Sequence, residues 1–490
     1  MQLHKSIAKI LILLLSSYLI FRLINVSQML VYYPLGSELV TQITQLFFLK
    51  ECGFYSFCPY WYGGIKTFLI TPPGWYFFAM PFYIATGNIL FATYTTLILS
   101  IVVSFSTFVY FGKLVGLSKI RVLLFFTLVF GNNIIIKTIS FIRIHELFTW
   151  TIFFICTFIV LYYLAEKRKL DHVFLICTTV LYTFAILSHQ SIGILLTFVL
   201  AGVAFYKRGI EKLKAITLMV VSVILTSFWW VPYLRTYLAG EISLHPAVID
   251  LWSYNALDFS IIASVLLPAT LVISFFLAWR TKSLSQDFVK FLTPTLVLSI
   301  IFVSGLVAHL PLLRNVSTYM YFTYFIFFSV FFFLKIKSHN NKSKKLFIIC
   351  CSVVVLLSIS ISIVATPLFF VHGQNENDAI SLAPSIEGKY IFVGELPYPL
   401  FRNAYYGYAT IYYSKSTPDG WITYAKPKEY MHLLGTFKQL DTSSCNTFLE
   451  NSQSLGLNNF IAYDKTCKTL FNCGLKEIKA AGNFCLYSIN

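Results

Sequence analysis

The chain has 490 residues, of which 57% are hydrophobic, 18% aromatic and 12% charged. Soluble globular proteins carry about 25% charged residues, and 49 Phe with 31 Tyr exceed what a core of ordinary size buries. A secreted, fibrous or disordered chain is therefore excluded, and a polytopic α-helical membrane protein is left. The net charge of +17 lies entirely in residues 1–370, which hold 27 Lys+Arg against 10 Asp+Glu, whereas residues 371–490 hold 10 of each. Cytoplasmic loops retain such a basic excess, and no basic stripe lies outside those loops to bind nucleic acid.

In chain order, apolar runs of spanning length predict eleven crossings, near 7–31, 89–111, 122–136, 147–165, 173–188, 191–206, 215–231, 260–279, 291–308, 318–334 and 346–369. The N-terminus and the loops near 112–121, 166–172, 207–214, 280–290 and 335–345 hold 20 basic residues. The opposite loops, apart from the tail, hold six: Lys50, Lys66, Lys137, Arg143, Arg235 and Arg314. This bias places the N-terminus in the cytoplasm and the chain beyond about 371 outside the cell. An odd number of crossings requires that 75–87 not cross. These 13 residues, between Pro72-Pro73 and Gly87-Asn88, reach only about 20 Å as helix, which suits an interfacial or re-entrant helix. The first run is too long for a cleavable signal peptide, is interrupted by Arg22, and no small-x-small site follows it.

Two domains are expected: a membrane domain, 1–370, with a long outer loop at 32–74, and a small extracellular α/β or β-rich domain, 371–490. In the latter, Tyr390–Val393, Ala409–Tyr413, Phe460–Tyr463 and Phe484–Ile489 read as strands. Six cysteines fall on the outer side, Cys52 and Cys58 in the loop and Cys445, Cys467, Cys473 and Cys485 in the tail. Even numbers suit disulfides in an oxidising compartment, with three connectivities open in the tail. A zinc site is the rival reading, disfavoured because the tail has no C-x-x-C.

Six acidic residues lie on the outer side of the membrane part: Glu38, Glu51, Glu146, Glu241, Asp250 and Asp258. Glu38 stands seven residues past the first span, where a carboxylate can act as general base on an acceptor hydroxyl or hold a divalent cation near a phosphate. The same position also suits a charge at the start of an interfacial helix. The loop continues through Tyr60, Trp61 and Gly64 to Pro72-Pro73. Aromatics among Gly and Pro make a flat surface that suits a sugar ring or the headgroup region. Arg143, His145 and Glu146 open the fourth span, and His189 lies at the turn between the fifth and sixth. Such groups at the outer ends of adjacent spans can face one cavity and bind a lipid phosphate, although ordinary interfacial solvation explains them as well. Arg235 and Arg314 are the other outer cations, able to hold an anionic substrate or to snorkel. Arg22, inside a span, is a functional candidate by position. There is no P-loop, no G-x-G-x-x-G after a strand, no H-E-x-x-H, no G-x-S-x-G and no Asp-x-Asp pair in the outer loops.

Taken together, an acidic residue in the first outer loop, Trp61-Tyr62-Gly63-Gly64, Pro72-Pro73, Arg143-x-x-Glu146, Ser188-His189, Phe228-Trp229-Trp230-x-Pro232 and the tail segment Ser416–Trp421 resemble a known family. It is that of the membrane proteins called 6-pyruvoyl-tetrahydropterin synthase-related, similar in layout to lipid-dependent glycosyltransferases of the C-type fold. The resemblance implies that Glu38 occupies the catalytic acidic position. It also implies that Tyr60, Trp61 and Gly64 shape the acceptor side, and that Arg143, Glu146 and His189 line the cavity near the lipid phosphate. One departure is that Val316–Tyr324 contains no basic residue, for which Arg314 can substitute. The expected function is transfer of a sugar from a polyprenyl-phosphate donor to a glycan, lipid or protein acceptor at the outer face of the cell membrane. The rivals are a flippase of lipid-linked glycans and a non-catalytic surface assembly protein.

Overall fold

The computed structural model describes residues 2–35, 39–239, 259–281, 283, 286–336, parts of 353–364, 372–397, 401–420, 428–438, 440 and 444–489. The described residues up to 336 are mostly helical: α1 (Gln2–Ser27), α2 (Leu39–Glu51), α3 (Gly74–Thr86), α4 (Ile89–Leu114), α5 (Lys119–Phe130), α6 (Asn133–Ser140) and α7 (Ile144–Ala165). They continue as α8 (His172–Ser188), α9 (Gln190–Tyr206), α10 (Gly209–Leu225), α11 (Ser227–Leu238), α12 (Phe259–Arg280), α13 (Gln286–Val303) and α14 (Thr318–Lys335). Among the described residues, five helices are long and apolar enough to cross a membrane, at Lys9–Leu30, Ile89–Leu114, Ile144–Ala165, Ile262–Arg280 and Thr318–Lys335.

Two expected crossings are broken. In place of 122–136, α5 and α6 meet at 63°, and in place of 215–231, α10 and α11 meet at 65°. At the first break the Asn132 side chain accepts the N–H groups of Ile134 and Ile135 and so starts a new helix. At the second, the Thr226 hydroxyl bonds back to the carbonyls of Ser222 and Val223, the local competition that bends helices. The expected crossing 291–308 ends at Val303, beyond which Gly305 turns the chain with φ +77°. The segment 75–87 forms the 13-residue α3, closed by Gly87 at φ +66°.

α7 is buried along most of its length and packs on α4, α8 and α9. Part of the phenylalanine content is used here. Phe108, Phe125, Phe154, Phe158 and Phe327 form a ladder across α4, α5, α7 and α14, with ring centroids 5.0 Å apart at Phe108–Phe158 and Phe125–Phe327. Without water to drive helices together, such shape-matched packing supplies the association.

Loops grouped by charge in the sequence also meet in space. Arg121 donates to the Leu334 carbonyl at 2.9 Å, and Lys335 donates to the Val115 carbonyl. Lys214 donates to the Leu170 carbonyl at 3.0 Å, Lys207 to that of Arg168, and Glu211 accepts the Leu170 N–H.

A two-stranded ribbon pairs β1 (Phe57–Cys58) with β2 (Ile65–Lys66). In the tail, β3 (Tyr390–Val393), β4 (Asn459–Tyr463), β5 (Lys476–Ala481) and β6 (Phe484–Ser488) form a sheet of order β3-β4-β6-β5, with β3 and β4 parallel. The expected strand Ala409–Tyr413 is instead the end of a helix, Phe401–Tyr413. Its buried residues Phe401, Ala404, Tyr405 and Ala409 recur at helical spacing. Gly407 lets this helix touch α2, since a Cβ there would lie 2.4 Å from Thr44 Oγ1 and 2.6 Å from Val40 Cγ1. The disulfides are Cys52–Cys58, Cys445–Cys473 and Cys467–Cys485, which settles the tail connectivity and leaves none of these thiols for zinc.

Candidate functional site

The short α6 ends in a tight turn, where Ile142 takes φ +51° before Arg143 caps α7. A β-branched residue is strained in that region, and its cost is borne where the chain reverses to set Arg143 and Glu146 at the head of α7. Glu146, 1% exposed, lies in the first turn of α7, where the helix dipole favours a negative charge. Its two oxygens are taken by hydroxyls from different helices. Thr138 of α6 donates to Oε1 at 2.9 Å, and Tyr319 of α14 donates to Oε2 at 3.3 Å. The Arg143 guanidinium stands 5.9 Å from the ring centres of both Phe141 and Tyr319, within cation–π range.

On the adjoining turn, the His145 and His189 rings stack face to face at 5.4 Å, with 6° between their planes. The Nδ1 atom of each is buried without a hydrogen-bond partner. Four of the residues singled out in the sequence therefore converge: Arg143 and Glu146 on one side, His145 and His189 on the other. Tyr319 and Thr138 complete the group, and sequence reasoning missed both.

Arg22 is explained by the same region. It is 2% exposed, and its Nε donates to the Tyr18 hydroxyl at 3.1 Å, which in turn lies 3.0 Å from Ser140 Oγ on α6. The polar chain Arg22–Tyr18–Ser140 thus braces α6 from one flank while Glu146 holds it through Thr138 from the other.

The remaining expected residues lie elsewhere. Arg314 donates to the Tyr237 hydroxyl of α11 at 3.2 Å, and Arg235 is exposed on the same helix. Glu38, the expected base, falls outside the described residues, as do Glu241, Asp250 and Asp258. Tyr60 is half-buried, its ring parallel to that of Phe48 at 5.9 Å. Trp61 is fully buried, so its ring is not an open platform for a sugar. The cause is a tail segment: Trp61 bridges to Thr417, and the Thr417 N–H donates to the Tyr60 carbonyl at 2.8 Å. Gly420 sits so close that a Cβ would be 2.9 Å from the rings of both Trp61 and Tyr62. Beside it Asp419, 2% exposed, accepts the Gly420 N–H at 2.8 Å. Gly64, at φ +128°, closes the turn with its N–H on the Trp61 carbonyl. Two motifs more than 350 residues apart, Trp61–Gly64 and Ser416–Gly420, thus form one clasp. A recess lined by Gln45, Phe48, Lys66, Thr67 and Phe68 adjoins it.

Among the described residues, no three His, Cys, Asp or Glu side chains gather as metal ligands.

The described architecture matches solved structures of membrane glycosyltransferases. The arabinofuranosyltransferase AftD from Mycobacteria aligns with a TM-score of 0.58 at 12% identity, covering 97% of this chain and 40% of that one. The architecture resembles that of C-type glycosyltransferases. The oligosaccharyltransferase of Archaeoglobus fulgidus, in its apo form, shares this C-type fold with a TM-score of 0.56 at 10% identity, covering 92% of this chain and 69% of that one. The same archaeal enzyme, AglB, bound to an inhibitory peptide and a dolichol-phosphate, aligns with a TM-score of 0.53 at 10% identity, covering 94% and 70%. This chain spans about two fifths of the length of AftD. No protein-family model matches the chain, and no curated protein does.

Proposed function

We propose that this protein transfers a sugar from a polyprenyl-phosphate donor to a glycan, lipid or protein acceptor at the outer face of the cell membrane. The observation that carries the reading is the meeting of Arg143, His145, Glu146 and His189 at the head of α7 within a C-type fold. Arg143 supplies the fixed positive charge suited to a lipid phosphate, with His189 and His145 beside it. Glu38, seven residues past the first span in the sequence, is the general base that takes the proton of the acceptor hydroxyl as it attacks the sugar. The lipid phosphate is the leaving group, so the donor carries its own activation and no nucleotide enters. Tyr60 and Gly64, on the loop clasped by the tail, border the acceptor side, and Arg235 and Arg314 are the reserve cations for the donor. The membrane domain runs to about 370, with the cytoplasmic N-terminus and the extracellular tail that the charge bias supports. Eleven crossings are reached by counting the five long helices, the two bent pairs, the three shorter apolar helices and the run 346–369. The finer kinship with the 6-pyruvoyl-tetrahydropterin synthase-related proteins rests on the motifs alone.

The test is single-turnover transfer from a radiolabelled polyprenyl-phosphate sugar by purified protein in lipid, wild type against Glu38→Gln. Transfer by the wild type that disappears in a folded variant supports both enzyme and base. Equal transfer by both moves the base away from Glu38. Absence of transfer from any donor, with donor binding that Arg143→Ala abolishes, turns the reading to a flippase.

A further inference from the structure

The loops 166–172 and 207–214 together hold seven basic and three acidic residues. They lie side by side, because Lys207 donates to the Arg168 carbonyl, Lys214 to that of Leu170 at 3.0 Å, and Glu211 accepts the Leu170 N–H. Asp171 is engaged as well, accepting the Tyr163 hydroxyl at 2.9 Å and the Phe174 N–H at 2.8 Å. The Arg168 guanidinium lies over the Tyr162 ring at 4.7 Å. Lys167, Lys169, Arg208 and Lys212 have no such tie: all four are exposed, and among the described residues none meets a side-chain partner. The first loop is a fixed turn. Lys167 takes φ +51°, its N–H donates to the Leu164 carbonyl at 3.2 Å, and the Arg168 N–H donates to that of Tyr163 at 3.0 Å, which closes the end of α7. Holding a lysine in the left-handed region costs energy, and here it keeps the three cations of that loop in a set arrangement.

The two helices that start from these loops open with exposed apolar residues. Val173 and Ile176 of α8 are 66% and 65% exposed, and Ile210 and Leu213 of α10 are 65% and 56% exposed. α8 and α10 pack together, with Ser222 Oγ donating to the Thr179 carbonyl at 3.3 Å. A soluble anion would engage the cations and leave the apolar residues unused. A lipid engages both. We propose that this surface binds an anionic glycerophospholipid, its phosphate among Lys167, Lys169, Arg208 and Lys212 and an acyl chain along the apolar faces of α8 and α10. By the charge bias this end is expected at the cytoplasmic leaflet, the one that carries anionic lipid. The 22 residues of α7, about 33 Å of helix, separate it from Arg143. The inference therefore goes beyond the transfer reading and does not depend on it.

The experiment measures binding of fluorescent phosphatidylglycerol to the purified full chain in mild detergent, beside fluorescent phosphatidylcholine and water-soluble glycerol 3-phosphate. Lys169→Gln combined with Arg208→Gln removes one cation from each loop. Lys113→Gln combined with Lys119→Gln removes two exposed cations from a different basic loop. The first pair is expected to weaken phosphatidylglycerol binding about thirtyfold, at about 1 kcal/mol per cation, with the melting midpoint unchanged. The second pair should stay within about threefold of wild type. Equal losses in the two pairs overturn the proposal, since the lipid would then answer to total charge and not to this surface. Phosphatidylcholine held as tightly as phosphatidylglycerol overturns it too. Glycerol 3-phosphate held as tightly as the lipid overturns the lipid assignment, because the apolar faces would contribute nothing. Should the first pair lower the melting midpoint, Lys169→Arg with Arg208→Lys keeps both charges and must bind phosphatidylglycerol within about threefold of wild type; failure to do so overturns the proposal.

Discussion

The two ends of the helical bundle use the same kinds of side chain for different ends. At the end rich in basic loops, Arg121, Lys207, Lys214 and Lys335 donate to backbone carbonyls where helices finish or loops turn. Cations there satisfy carbonyls left open at helix termini and oppose the negative end of the dipole. At the other end, Arg143 rests against aromatic faces beside a buried acid, and two imidazoles stack with unpartnered Nδ1 atoms. A cation directed at its own backbone closes the fold. A cation set against two rings, next to a carboxylate held by two other helices, belongs to a built polar site.

The sharpest test of that contrast is Arg143→Ala, expected to cost on the order of 100-fold in dolichyl phosphate affinity, the scale of losing a charged partner at a buried site. Arg235→Ala, which removes an exposed reserve cation, should cost less, about threefold in the same binding assay. Next in size is Gly407→Val, which drives a side chain into Thr44 and Val40 of α2. Overpacking of this kind costs about 1–3 kcal/mol, read as a lower melting midpoint with easier proteolysis of the tail. Arg121→Met should lower stability by about 1 kcal/mol, the worth of one hydrogen bond, with no change in donor affinity. A loss of affinity in this variant would erase the division between the two ends.

The smallest effect belongs to Asp171, which caps α8 at the basic end. The Phe174 N–H and then the Tyr163 hydroxyl hold its carboxyl below the usual carboxylate range. Because the folded-state value is depressed, its contribution is present above the unfolded carboxylate value and is lost as pH falls through the folded one. The melting midpoint of Asp171→Ala should therefore differ most from wild type near neutral pH and converge with it in acid.

Much of the helical layer was legible because a bilayer demands about 20 apolar residues per crossing. Ile89–Leu114, Ile144–Ala165 and Thr318–Lys335 lie close to where hydropathy expects them. The breaks at Asn132 and Thr226 were not legible, since one side chain turning onto a neighbouring backbone group hardly alters a hydropathy average. Ala409–Tyr413, rich in β-branched and aromatic residues, reads as a strand by propensity, yet packing against α2 through Gly407 makes it helix. Propensity is a weak prior that tertiary contacts override. Trp61 reads as an exposed aromatic because nothing near it in sequence announces the segment that covers it.

Composition and charge alone pointed to a membrane protein, to an expected sharing of sides among its loops, and to the few charges worth weighing. These follow from the cost of placing polar groups in hydrocarbon, a constraint acting on each segment by itself. Only the tertiary structure decided that Arg143, His145, Glu146 and His189 share one place and that Arg22 braces α6. It alone paired the four tail cysteines and picked out Tyr319, 173 residues from Glu146, among 31 tyrosines. Contacts at that separation depend on how helices cross, which no local pattern encodes.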